Sequence, residues 1–216
     1  MSDVSINLPS KDGEPAWEAA YFFPPQGCWS EEDFLQFHTN RMAELVDGRL
    51  EILPMPTWVH QLIVKFLTGK IDEIISQGVG GAVLFAPLPT KLFPGTIREP
   101  DVLYVAQKNL PKPGEKYPST IDLAMEVVSE GAEARKRDYE DKRIDYAKAG
   151  VGEYWIIDPE QSLLTVLTLA GSEFTVAQEC RPGETARSLL LDGLTIALND
   201  ILAFGANHRT NPPSHS

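Results

Sequence analysis

The run Leu123–Val128, LAMEVV, constrains the fold more than any other stretch. Short, nearly continuous apolar runs mark strands buried on both faces. One residue breaks this run, because Glu126 sets a carboxylate in the middle of it. Stripping water from a carboxylate is costly or forces it neutral, so a buried glutamate needs a partner.

The flanking segments build outward from that strand. Ser30 with Glu31, Glu32 and Asp33 reads as a cap and acidic first turn of a short helix through His38. Asp47-Gly48 between two apolar-containing runs predicts a hairpin. Thr57 is placed to cap a long helix, whose residues Val59, Leu62, Ile63, Phe66, Leu67, Ile71 and Ile74 repeat at helical spacing until Gly78. Strands are expected at 82–85, 89–92, 100–105 and 121–128, then a helix over 134–149 and a strand in EYWIID. Strand candidates near 163–169, 173–178 and 194–198 complete the domain as antiparallel additions. The fold class is therefore α/β, a mixed β-sheet flanked by helices with additional antiparallel C-terminal strands. Residues 1–28 read as a flexible N-terminal arm, 29–204 as the domain, and 205–216 as a disordered tail.

With 216 residues the chain suits one substantial domain. It has no run of about 18 apolar residues, so no membrane span is expected, and its start does not resemble a secretory signal. Cys28 and Cys180 have no metal-type spacing and fit a reducing, cytoplasmic setting. The formal net charge is −12, which argues against a protein that coats nucleic acid by neutralising phosphates alone. It leaves room for an enzyme that meets phosphate through metal ions.

Two acids in strand contexts point that way. Asp101 follows Pro100 at the start of PDVLYV, and Glu126 lies in its own strand. On neighbouring strands they would project side by side, and paired carboxylates repel unless a cation lies between them. Hard oxygen ligands suit Mg²⁺ or Mn²⁺. The plainer readings are an inert ion pair for Glu126 and a solvent-facing acid for Asp101. In ARKRDYEDKRIDYAKAG, Asp138, Lys142 and Tyr146 stand four residues apart on one helix face. That stripe either faces the acids or is an ordinary surface ion pair.

The segments AELVDGRLEILPMPTWVHQLIV, REPDVLYV, DLAMEVVSEGAEARKRDYEDKRIDYAKAGVGEYWIIDP and LDGLTIALNDIL resemble the bacterial putative restriction endonuclease family of the PD-(D/E)XK nuclease superfamily. The likeness covers about residues 30–204. It implies a restriction-endonuclease-like core and Mg²⁺- or Mn²⁺-dependent cleavage of DNA. By that resemblance Asp101, Glu126 and the Val127 backbone carbonyl bind the metal, and Glu44 is an upstream acid binding it directly or through water. Lys142 matches a catalytic lysine moved to the following helix, because the usual position, two residues after Glu126, is Val128. Asp138 and Tyr146 would support Lys142. His60 either lines the site or is a helix-edge histidine with a local hydrogen bond. A homodimer is compatible with duplex cleavage. The alternative from another class is a weak or inactive nuclease-fold binding module.

Overall fold

The computed structural model describes residues 23–39 and 41–207. The expected arm lies outside the described residues up to 22, and the expected tail from 208 onward. Ser30 caps α1 (Glu31–Gln36) through reciprocal hydrogen bonds with Asp33. Asp47 and Gly48 both take positive φ, 47° and 73°, the backbone of a two-residue hairpin turn. They join β1 (Ala43–Val46) to β2 (Arg49–Ile52). A Cβ on Gly48 would stand 2.8 Å from the Gly27 carbonyl oxygen. The approach is that close because the Gly27 and Trp29 amides both donate to the Gly48 carbonyl, strapping this segment to the hairpin.

Thr57 caps α2 (Trp58–Ile74), its hydroxyl accepting from the His60 amide. Leu62, Ile63, Leu67, Ile71 and Ile74 line its buried face, each such side chain contributing about 1.5–3 kcal/mol by burial. A wider turn over Ile75–Val79 ends it, with Gly78 at φ 109°.

There follow β3 (Ala82–Phe85), β4 (Thr90–Phe93), β5 (Thr96–Arg98), β6 (Val102–Val105) and β7 (Leu123–Val127). A continuous helical segment comes next: α3 (Ala132–Lys136), a wide turn over Arg137–Asp141, and α4 (Lys142–Lys148). The described residues continue with β8 (Glu153–Asp158), β9 (Leu163–Ala170), β10 (Glu173–Cys180), β11 (Thr185–Arg187), β12 (Thr195–Ala197) and α5 (Leu198–Asn207).

The main sheet has the order β10-β9-β8-β7-β6-β3, with β7 and β8 parallel and the other pairs antiparallel. Parallel neighbours need a crossover, and the α3–α4 segment supplies it. A second sheet, β2-β1-β5-β4, carries the hairpin, and β11 pairs with β12. Alternation divides the residues of β7 between two cores. Leu123, Met125 and Val127 pack with α2 and α5, while Ala124 and Val128 pack with Tyr146 and Ala147 of α4. This is the expected α/β mixed sheet with extra antiparallel strands.

Three elements were not anticipated. Strands β5 and β11 are only three residues long, too short for an alternation pattern. Helix α5 follows β12 without a break and runs through Asn207, past the expected domain end at 204. No described helix is long and apolar enough to cross a membrane.

Candidate active site

Strands β6 and β7 pair with Val102 across from Met125 and Leu103 from Ala124. Continuing that register by one residue sets Asp101 across from Glu126. Glu126 shares the parity of Ala124 and Val128, so its carboxylate enters the core beneath α4, where it is 2 % exposed.

Helix α4 supplies its partners. Lys142 Nζ stands 2.8 Å from Glu126 Oε2, 3.4 Å from Glu44 Oε1 and 3.8 Å from Asp138 Oδ1. One turn on, the Tyr146 hydroxyl donates to Glu126 Oε1 at 2.6 Å. Asp101 is held from the other side: His60 Nε2 lies 3.0 Å from Oδ1, and the Val127 amide donates to Oδ2 at 2.8 Å. The Thr57 cap thus has a second consequence, because it fixes the turn of α2 that presents His60. His60 lines the cleft, its Nε2 turned to Asp101 rather than to a neighbour on its own helix.

Asp101, Glu126, Lys142, Glu44, Asp138, Tyr146 and His60 therefore form one connected cluster, and Val127 joins it through its amide. Val128, where a lysine would stand in the simple motif, is buried in the apolar cluster around Tyr146. Asp138 lies in the wide turn, a form that often marks functional sites in helices. Its Oδ1 accepts no hydrogen bond, and Arg137 Nε is 3.5 Å away.

The residues missed in the sequence are the two before Pro100. Arg98 is 1 % exposed. Its guanidinium donates to Glu44 at 2.7 Å, to Glu51 at 3.2 Å, and to Asp145 at 3.0 and 2.7 Å. It ties the β1–β2 hairpin and β5 to the helix that carries Lys142. Glu99 donates its amide to Glu44 Oε1 at 3.0 Å and lines the cleft with its side chain. A cation and an acid directly preceding the Pro-Asp pair were the available signal. The same demand for a partner that singled out Glu126 applies to them.

Burial and neighbours set the protonation of the cluster. Burial pushes the Glu126 carboxyl well above its usual range; Lys142 opposes this, while Asp101, Asp138 and Glu44 reinforce it. Burial, then repulsion from Glu44, raises Glu99 to about 7. For Asp101, burial is outweighed by the His60 contact, Lys142 and the Val127 amide, so it lies below its ordinary value. Glu44 is likewise lowered, Lys142 and Arg98 overcoming the cost of burial. Lys142 is held above the ordinary lysine value, since Glu126, Glu44 and Asp138 outweigh its burial.

A pH dependence follows for the protein in EDTA. A carboxyl near 7 when folded and near 4.3 when unfolded binds more proton in the folded state between those values. Its contribution to stability therefore falls as pH rises from about 4.5 to about 7. Melting temperature followed over that range should decline in the wild type, and Glu99→Gln should flatten the decline. An unchanged slope would refute the assignment.

The chemistry of the donors fits a hard divalent cation. Acids outnumber the buried cations Lys142 and Arg98, and oxygens of Glu99 and Asp138 are buried without hydrogen bonds. As the side chains stand, no described group of three or more His, Cys, Asp or Glu forms a metal cage. The oxygens of Asp101 and Glu126 are turned to His60, Val127, Tyr146 and Lys142 instead. Each carboxylate oxygen keeps a further lone pair for an incoming ligand.

The family model described as "Putative restriction endonuclease", Uma2, matches residues 31–199. The chain belongs to this family. A solved structure titled as a putative nuclease of DUF820 from Anabaena variabilis aligns with TM-score 0.68 at 17% identity. The alignment covers 82% of this chain and 98% of that one, and at that identity it speaks for the fold. No curated protein matches. The Uma2 match spans the hairpin with Glu44, the strands with Asp101 and Glu126, and the helix with Lys142, so the whole cluster lies inside the family's domain.

Proposed function

We propose that this protein is a divalent-cation-dependent phosphodiesterase of the PD-(D/E)XK type, acting on DNA. The observation that carries the reading is the meeting of Asp101, Glu126 and Lys142 on one cleft wall, with Lys142 2.8 Å from Glu126. Asp101, Glu126 and the Val127 carbonyl would hold Mg²⁺ or Mn²⁺. When bound, that ion lowers the pKa of a water ligand and offsets charge on the scissile phosphate. The remaining chemistry belongs to the chain. Tyr146 and Lys142 orient the Glu126 carboxylate, and His60 and the Val127 amide orient Asp101. Lys142 positions the attacking water and stabilises negative charge that develops at phosphorus. Glu44 and Asp138 keep Lys142 charged and aimed. Two copies of the chain would supply two sites for the two strands of a duplex.

Supercoiled plasmid with Mg²⁺ or Mn²⁺ provides the test. Asp101→Asn and Glu126→Gln should each lower the cleavage rate by more than ~100-fold, exceeding the usual cost of losing a residue behind a ligand. Wild-type rates in both variants would sink the site.

One observation favours a binding module without turnover: both oxygens of Glu126 already have protein partners. Calorimetric titration with Mn²⁺ separates the two readings. Binding that disappears in Asp101→Asn supports the enzyme, and its absence in the wild type supports the module.

A further inference from the structure

Glu99 is 6 % exposed and lines the cleft beside Asp101, Glu126 and Lys142. Among the described residues its Oε2 has no hydrogen-bond partner and its carboxylate makes no ion pair. Buried acids away from this cleft are treated differently. Glu153 accepts from the Trp155 indole and from the Leu189 and Leu190 amides. Asp158 accepts from Arg135 and from the Gln161 amide. Glu44 offers the sharpest contrast, being fully buried, absent from the cleft wall, and saturated by Arg98, Lys142 and the Glu99 amide.

A buried carboxylate left bare is unfavourable and rare in native proteins. The cations on or beside this wall are already engaged: Lys142 with Glu126 and Glu44, Arg98 with Glu44, Glu51 and Asp145, and Arg137 with Asp138 at 3.5 Å. When ionised, Glu99 draws its partner from what enters the cleft. A phosphate is repelled by it, and an apolar group leaves it unsatisfied. Hard oxygen on a wall shared with the carboxylates of Asp101, Glu126 and Asp138 selects a small divalent cation.

We propose that Glu99, rather than Glu44, is the upstream carboxylate that coordinates the divalent cation held by Asp101 and Glu126. The inference rests on the metal-dependent reading above. Glu44 acts one step back, fixing Lys142 and the Glu99 backbone.

Mn²⁺ titration calorimetry on the full chain tests it with Glu99→Asp, Glu99→Gln, Glu44→Gln and Asp101→Asn. Glu99→Asp decides, because it keeps the charge and moves only the oxygens. Coordination predicts that Glu99→Asp and Glu99→Gln both bind Mn²⁺ ~10-fold more weakly or worse. Glu44→Gln, where folded, should lose less than either. The rise in melting temperature caused by Mn²⁺ should shrink in step with affinity. Wild-type affinity in Glu99→Asp overturns the proposal, and loss of binding in Asp101→Asn within the same series leaves the metal-dependent reading standing. No Mn²⁺ binding by the wild-type protein overturns both.

Discussion

Lys142→Met is expected to reduce cleavage by ~10²–10³-fold at saturating Mn²⁺, the usual cost of removing one preorganised group that stabilises developing charge. The methionine preserves the unbranched stem and removes only the ammonium. The loss reaches further than one charge, because Lys142 is the cation shared by Glu126, Glu44 and Asp138. Without it, Glu126 loses the charge that opposes the upward pull of burial on its carboxyl, and a protonated carboxyl is a poor cation ligand. Mn²⁺ affinity should therefore fall along with the rate. Lys142→Arg should recover little, since a planar fork does not replace a compact ammonium at the meeting of three carboxylates. Single-turnover cleavage with circular dichroism as a folding control measures the effect; a rate within threefold of wild type in Lys142→Met would remove Lys142 from the mechanism.

Arg98→Met should be the most destabilising single change at the site, costing about 3–5 kcal/mol, as expected when one partner of a buried ion pair is removed. Glu44 would keep Lys142 and the Glu99 amide, but Asp145 and Glu51 would lose the guanidinium that pairs with both. Urea denaturation reads the loss as a lower midpoint at unchanged slope. Because Arg98 joins the hairpin to α4, Mn²⁺ affinity should fall as well, by way of Lys142 and Glu44. Arg98→Lys should recover only part of the stability, since one ammonium cannot serve Glu44, Glu51 and Asp145 in the fork geometry seen here. A loss below 1 kcal/mol in Arg98→Met would show that the hairpin and helix are held by packing alone.

Local chemistry explains which parts were legible. The hairpin was readable because Asp47-Gly48 adopts the positive φ values that few other dipeptides tolerate. Helix α2 was readable because its apolar residues repeat over seventeen residues. Short β5 and β11, and α5 running directly on from β12, carry no comparable signal: their conformation comes from the sheet and core they join. At the site, Asp101, Glu126 and Lys142 stood out by the improbability of an acid in a buried strand and by a stripe on one helix face. Arg98 and Glu99 did not: their place beside the Pro-Asp pair was the available signal, and by itself it does not separate a buried arginine from an exposed one.

The sequence by itself determined the α/β pattern, the caps and turns, and the family, because these depend on periodicity, backbone preference and ordered motifs. Tertiary structure alone decided which charges share one interior. The β6–β7 register brings Asp101 opposite Glu126, the crossover helix lowers Lys142 onto that pair, and Arg98 withdraws Glu44 from the cleft and leaves Glu99 there. Charge pairing depends on distance and burial across elements far apart in the chain, and no stretch of sequence carries either quantity.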